Sequence, residues 1–164
     1  MEGEKLEEFF SIFKELAKAK YPEHRSLVRA FTSLYGCYND NPWRVVGITE
    51  EALRAFEAAG FSRVPSNKDP VRVERAHINQ RSQWVKEMFE REWDCAKEWA
   101  DFLYENDRTV LATAFENKMS DQKGEPLVIA HEIPDNGEYF RSQFIGCKFR
   151  KKIEGVLLKS FLTE

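Results

Sequence analysis

Apolar residues recur at three- and four-residue intervals in several parts of the chain, which is the spacing of an amphipathic α-helix. Thr49 is followed by two glutamates, a typical helix start because a threonine side chain can cap the first backbone amides. Residues 1–65 are therefore predicted to be a helical part. The predicted helices cover residues 4–20, a stretch between Pro22 and Gly36, residues 49–60 and residues 82–104.

Strands are predicted by two other patterns. Residues 71–77 alternate apolar and polar side chains, as a half-buried strand does. Residues 108–112 are β-branched and apolar, which favours a second strand. Thr113 and Glu116 have the spacing of a capping box, which predicts a short helix over residues 114–119. We expect the two strands to pair antiparallel, with this helix packed across them.

The expected fold is α+β, with the helical part packed on a small, mostly antiparallel sheet. A chain of 164 residues fits a single domain over residues 1–164. Within it, residues 66–120 would form the element of two strands and a helix, interrupted by a long helical insertion. Residues 121–164 would supply a β-hairpin, from strands 127–131 and 139–145, and a basic C-terminal helix over 149–162.

Charge is unevenly distributed along the chain. The formal net charge is −3, which argues against a nucleic-acid partner, but acids predominate over residues 85–107 and bases over residues 141–164. Such segregation allows a local phosphate-binding face, although charge runs also cover ordinary solvated helix surfaces. The candidate nucleic-acid-binding residues are Arg72, Arg81, Lys148, Arg150, Lys151 and Lys152.

Two features concern cellular location. The first residues lack the basic segment and apolar run of a secretory leader, and no stretch reaches the roughly 18 apolar residues of a membrane span. The three cysteines are widely separated and odd in number, so we expect small, buried, reduced side chains rather than disulfides. Both features favour a cytoplasmic protein with no membrane partner.

His77 is the histidine with the most informative surroundings. It ends the predicted strand 71–77, and Arg75 shares its face because side chains two residues apart in a strand point to the same side. An imidazole can accept a proton from water beside a phosphate that an arginine holds. Downstream, Asn106, Glu116 and Asn117 offer oxygen atoms of the kind that Mg²⁺ prefers.

The order of strand, helical connection, strand and capped helix over residues 71–119 resembles the ββα-metal nucleases, also called HNH or His-Me finger nucleases. The Glu74-Arg75-Ala76-His77 segment is similar to the Asp-Arg-Gly-His box of their non-specific DNA/RNA branch. The sequence departs from the family at Ala76, where an acidic or histidine metal ligand often stands, and in its long helical connection.

This resemblance implies roles for particular residues. His77 would be the general base, with Arg75 and Asn106 as further catalytic residues. Asn117, Glu116 and Asn106 would hold one Mg²⁺ or Mn²⁺ ion. The implied activity is that of a metal-dependent endonuclease of the restriction or phage type, which hydrolyses phosphodiester bonds in DNA, with RNA as an alternative substrate.

Two alternatives remain open. The chain is a non-catalytic protein- or nucleic-acid-binding protein if His77 is structural and the aromatic-rich helices form the interface. It is a metal-independent enzyme, such as a ribonuclease, if His77 acts together with His131. A homodimer would explain double-strand cleavage, although no feature of the sequence requires one.

Overall fold

The structure is a computed structural model that describes residues 3–18, 24–124, 126–141 and 147–163. The chain forms two compact units. The helical unit comprises Met1–Pro42 and Asn79–Asp107, and the sheet unit comprises Trp43–Ile78 and Arg108–Glu164. The elements in chain order are α1 (Glu4–Lys18), α2 (His24–Tyr38), β1 (Arg44–Ile48), α3 (Glu50–Ala58), β2 (Val73–His77), α4 (Arg81–Glu90), α5 (Ala96–Asn106), β3 (Arg108–Thr113), α6 (Ala114–Lys123), β4 (His131–Glu132) and α7 (Glu154–Ser160).

The fold class is α+β, as predicted. The described residues form these helices and one four-stranded sheet, in the strand order β2-β3-β1-β4. Strands β2 and β3 pair antiparallel, as do β1 and β4, whereas β1 and β3 are parallel. The sheet is therefore mostly antiparallel, and β2 lies at its edge.

The predicted element of two strands and a helix is confirmed. In the antiparallel register of β2 and β3, Val73 lies opposite Thr113 and His77 opposite Thr109. Helix α6 follows β3 directly because Thr113 caps it: the Thr113 side chain accepts from the Glu116 amide, and Glu116 reaches back to the Thr113 amide. Helix α6 packs against both strands.

The prediction of one helix over residues 82–104 was wrong, because α4 and α5 are separate helices. The Trp93 indole N–H donates to the carbonyl oxygen of Met88 at 2.9 Å, at the end of α4. The Glu98 carboxylate accepts from the Asp94 amide at 3.2 Å, at the start of α5. These side chains replace the backbone hydrogen bonds of a continuous helix.

Residues 1–65 are not all helical, since β1 lies within them. Four of its five residues are buried, so the strand lacks the alternation that reveals a half-buried one. The predicted hairpin of strands 127–131 and 139–145 is not formed by the described residues, in which β4 pairs with β1. Residues 139–141 are not a strand, and residues 142–145, like 19–20 of the first predicted helix, lie outside the described residues.

Each unit has its own core. In the helical unit, Phe9 and Trp99 are fully buried and meet edge to face, with ring centroids 4.9 Å apart. In the sheet unit, Ile48, Phe56 and Leu111 belong to a cluster that joins the sheet to α3. Every helix in the described part of the chain is too short or too polar to cross a membrane.

Candidate active site along strand β2

The two faces of β2 carry different side chains. Alternate residues of a strand point to opposite faces, and residues directly opposite on paired strands share a face. Val73, Arg75 and His77 therefore share a face with Leu111 of the core cluster; we call this the core face. Glu74 points to the other face, which we call the Glu74 face.

His77 and Arg75 are brought together, as predicted, and Trp43 connects them. The Trp43 carbonyl oxygen accepts from Arg75 Nη1 at 3.2 Å and from Thr109 Oγ1 at 3.1 Å. The Trp43 ring meets the half-buried His77 imidazole edge to face, with centroids 5.1 Å apart. Trp43 has a positive φ. A bulky residue rarely adopts this conformation unless its surroundings hold it there. We infer that the contacts with Arg75, Thr109 and His77 hold Trp43 in it.

Asn117 contacts a residue that the sequence analysis did not place in the metal site. Asn117 Nδ2, in the first turn of α6, donates to Glu74 Oε1 at 2.6 Å. Arg72 also contacts the Glu74 carboxylate. One signal for Glu74 was present in the sequence, because Glu74 and residue 76 share a face of β2, and residue 76 is where the ββα-metal nucleases often have a metal ligand.

His77 and Asn117 lie on opposite faces of β2. Asn117 meets the strand at Glu74 rather than at His77. Three residues of a strand span about 10 Å. For His77 and Asn117 to act on one phosphate group, the substrate has to lie across the outer edge of β2. Strand β2 is an edge strand, but its Val73 amide already donates to the Pro65 carbonyl, so the substrate would have to lie on the part of the edge between Arg75 and His77.

Glu116, a predicted metal ligand, holds the backbone instead. Its Oε2 atom accepts from the Thr49 hydroxyl at 2.8 Å, the Thr113 amide at 2.8 Å and the Thr113 hydroxyl at 2.9 Å. Three donors on one oxygen leave that atom unsuited to a metal ion. Glu116 therefore joins the start of α6 to the start of α3, which Thr49 caps.

We expect Glu116→Gln to keep most of the stability and any cleavage activity, because glutamine also serves in a capping box. Glu116→Ala should lower the free energy of unfolding by about 1 kcal/mol, the usual cost of a lost cap. Urea unfolding and a Mg²⁺ titration of both variants check this. If Glu116→Gln needed much more Mg²⁺ for cleavage than the parent protein, this result would contradict a purely capping role and support Glu116 as a metal ligand.

Asn106, predicted as a catalytic residue and metal ligand, belongs to the helical unit, whereas the other predicted ligands belong to the sheet unit. Its side chain makes two hydrogen bonds there, each 2.9 Å long. Asn106 Oδ1 accepts from Asn79 Nδ2, and Asn106 Nδ2 donates to the Phe102 carbonyl oxygen. The second of these bonds closes the last turn of α5. The Asn106 side chain is therefore used in hydrogen bonds within the helical unit.

The Glu74 carboxylate of β2 and the Asn117 side-chain amide of α6 lie next to each other, with the amide nitrogen facing one carboxylate oxygen and Arg72 contacting the other. Mg²⁺ is commonly held by one or two carboxylates, with water and substrate phosphate completing the shell. Glu74 and Asn117 would provide such a partial shell if the Asn117 amide turned its oxygen, Oδ1, toward the carboxylate. Among the described residues, no three His, Cys, Asp or Glu side chains form a metal-binding group, so any ion there depends on Asn117 and on the substrate.

His131, the partner of His77 in the metal-independent alternative, lies on β4. Strands β3 and β1 stand between β4 and β2. At the usual spacing of strands, this separates the two histidines by about 14 Å. The His131 ring stacks on Phe161 with centroids 4.7 Å apart, and its Nε2 is 3.9 Å from Glu50. The structure does not bring the two histidines together.

The predicted phosphate-binding residues have different environments. Lys148, Lys151 and Lys152 are exposed and precede α7, which is shorter than the predicted basic helix. Arg150 instead contacts the buried Glu154 carboxylate through its Nε and Nη2. Arg72 is exposed, and Arg81 begins α4. The exposed lysines are therefore the better candidates for phosphate contacts.

If the segment before α7 touches a nucleic-acid backbone, the double variant Lys151→Glu/Lys152→Glu should bind duplex DNA less tightly. The slope of log affinity against log salt should also fall, by about 0.9 for each lost phosphate contact. Fluorescence anisotropy over a salt series measures this slope. An unchanged slope would exclude this segment from the binding face.

The cysteine prediction was wrong in part. Cys37 and Cys95 are exposed, and only Cys147 is partly buried. Burial raises the pKa of the Cys147 thiol to about 11, which leaves it protonated and unreactive at neutral pH.

Comparison of the chain with protein-family models, curated proteins and solved structures finds no match.

Proposed function

We propose that this protein is a divalent-metal-dependent endonuclease that hydrolyses phosphodiester bonds in DNA. The observation that carries the proposal is the Glu74–Asn117 contact between β2 and α6. It lies within an antiparallel strand pair followed by a capped helix, the arrangement that the ββα-metal resemblance implies. RNA is an alternative substrate of the same chemistry.

His77 is the proposed general base, which takes a proton from the water that attacks the phosphorus atom. Arg75, on the same face, is the proposed phosphate ligand, since a guanidinium matches the geometry of phosphate oxygens. Trp43 fixes both, through its ring and its carbonyl oxygen. Glu74 and Asn117 would hold Mg²⁺ or Mn²⁺. When bound, the ion supplies stabilisation of negative charge on the phosphate and the leaving oxygen.

We also propose where the enzyme acts and how it holds the DNA. The enzyme would act in the cytoplasm on DNA that lies along the outer edge of β2. Lys148, Lys151 and Lys152, which are exposed, would contribute sequence-independent phosphate contacts. A homodimer would allow both strands of a duplex to be cut.

Binding without cleavage is the second candidate, and a specific observation favours it. Glu116 and Asn106, two of the three predicted metal ligands, make structural hydrogen bonds instead. In that case the Glu74–Asn117 bond is structural too, with Arg72 neutralising Glu74. The protein would then bind nucleic acid or another protein with His77 in a structural role.

The test is the metal dependence of Asn117→Ala. We expect this variant to need about 10-fold more Mg²⁺ for half-maximal cleavage, because loss of one ligand weakens a site with few protein ligands. High Mg²⁺ or Mn²⁺ should partly restore its activity. Gln122→Ala is the matched control, since it removes an exposed amide from the same helix.

The binding-only candidate predicts a different result. Asn117→Ala would then lower the melting temperature in EDTA through loss of the Glu74 contact, and the parent protein would fail to cleave DNA whichever divalent ion is supplied. Cleavage by Asn117→Ala with the Mg²⁺ midpoint of the parent would remove Asn117 from the metal site. Measuring melting and cleavage together separates these outcomes.

A further inference from the structure

A cleft of about 510 Å³ lies beside the first half of β2 in the sheet unit. Residues 64–67 form one wall and strand residues 72–75 form the other. Its volume is within the range of about 300–1,000 Å³ that small-molecule sites occupy. The cleft includes Glu74, so it is continuous with the Glu74–Asn117 pair.

The wall formed by residues 64–67 is held in place by hydrogen bonds to β2 and within its own loop. The Val73 amide donates to the Pro65 carbonyl at 3.1 Å, which fastens the loop to the edge of β2. Asp69 receives the Arg63 guanidinium at 2.5 Å and the Ser66 amide at 2.7 Å. The Arg63 hydrogen bond and then the Ser66 amide hold the pKa of Asp69 well below its usual range, so these bonds persist at neutral pH.

The lining has two chemical characters. Val64 is partly exposed and gives the cleft an apolar side against which a planar ring can pack, whereas Pro65 and Val73, which also line it, are themselves buried. Asn67 and Arg72 give it a polar side, where Arg72 Nη1 donates to Asn67 Oδ1 at 3.1 Å. The Arg72 side chain is 47% exposed, so an incoming anion can reach its guanidinium, where it would compete with the Glu74 carboxylate that already pairs with Arg72.

We propose that this cleft binds one nucleotide unit of the substrate strand, with the base against the apolar side and the phosphate on Arg72. This inference rests on the proposed function, because it places that nucleotide next to the Glu74–Asn117 pair. It adds a subsite that fixes the register of the strand along the edge of β2. Asn67 is a positioning residue in this subsite, since it orients the Arg72 guanidinium.

Binding of deoxyadenosine monophosphate in EDTA tests the cleft without metal or cleavage. Isothermal titration calorimetry and amide NMR shifts should show binding, with the largest shifts at residues 64–67 and 72–75. Deoxyadenosine and inorganic phosphate alone should each bind about 10-fold more weakly, since each fills one side. Arg72→Gln should weaken nucleotide binding about 10-fold and Asn67→Ala several-fold. Arg54→Gln, which removes an exposed and similarly paired arginine from α3, should leave it unchanged.

Three results would overturn the inference: no binding of the nucleotide, binding unaffected by both cleft variants, or phosphate binding as tightly as the nucleotide. Cleavage of DNA by the parent protein is measured separately in Mg²⁺. Nucleotide binding without cleavage leaves the cleft assignment and removes the proposed function. Cleavage without nucleotide binding leaves the proposed function and removes the cleft.

Discussion

His77→Ala should lower the rate of DNA cleavage by about 10²–10⁴-fold, the contribution of a positioned general base. The variant should stay folded, because His77 ends an edge strand and is only half buried. Its Mg²⁺ midpoint should be unchanged, since Glu74 and Asn117 are the proposed ligands. Single-turnover cleavage, a melting curve and a Mg²⁺ titration measure these quantities on one preparation.

His131→Ala is the matched control, and it also tests the metal-independent alternative. We expect it to keep the cleavage rate because two strands separate His131 from His77. A structural His77 predicts instead that His77→Ala loses about 1–3 kcal/mol of stability for each polar group left without a partner. Cleavage at the parental rate by folded His77→Ala would end the assignment of His77 as the base.

Glu154→Ala should lower the free energy of unfolding by about 3 kcal/mol, since removing one partner of a buried ion pair costs about 3–5 kcal/mol. We expect the lower end of this range because the Arg150 side chain is 29% exposed, so water can solvate its guanidinium once Glu154 is removed. Glu154 is fully buried and accepts from Arg150 and from the Phe140 amide. Urea unfolding checks this value. Asp101→Ala, which breaks the exposed Lys97–Asp101 pair, is the control and should change stability far less.

The effect of Glu154→Ala should depend on pH. Burial acts to raise the pKa of the Glu154 carboxyl, but the hydrogen bonds from Arg150 and from backbone amides outweigh it and lower the pKa. A lowered pKa in the folded state stabilises the protein above the unfolded pKa, and this stability is lost as pH falls through the folded value. The difference between parent and variant should be constant above about pH 5 and shrink below it. A difference that grows on acidification would contradict this sign.

Local patterns were sufficient to predict β2, β3 and α6. Alternation over residues 71–77 predicted the edge strand, and Thr113 with Glu116 predicted the helix start. The same capping box also bears on the predicted metal ligand Glu116, because the bonds that begin the helix occupy its Oε2 atom. The residue type that suggested a metal ligand therefore also has a local structural role.

The remaining errors depend on long-range contacts that no local pattern contains. Strand β4 pairs with β1, which lies much earlier in the chain, and a local hairpin pattern does not contain this pairing. Glu74 and Asn117 are distant in sequence and meet only because β2 and α6 pack together. The sequence alone therefore did not place Glu74 in the candidate site. Asn106 has the residue type and order that the resemblance implies, but it ends a helix of the other unit.

The most direct test of the nuclease assignment is plasmid nicking by the parent protein in Mg²⁺, in Mn²⁺ and in EDTA. Conversion of supercoiled plasmid to the open-circular form is followed on a gel, with His77→Ala purified in parallel to exclude a contaminating nuclease. We predict nicking with either ion, none in EDTA and a strongly reduced rate for His77→Ala. A folded parent protein that leaves the plasmid supercoiled with every divalent ion, or that nicks at the rate of His77→Ala, would contradict the assignment.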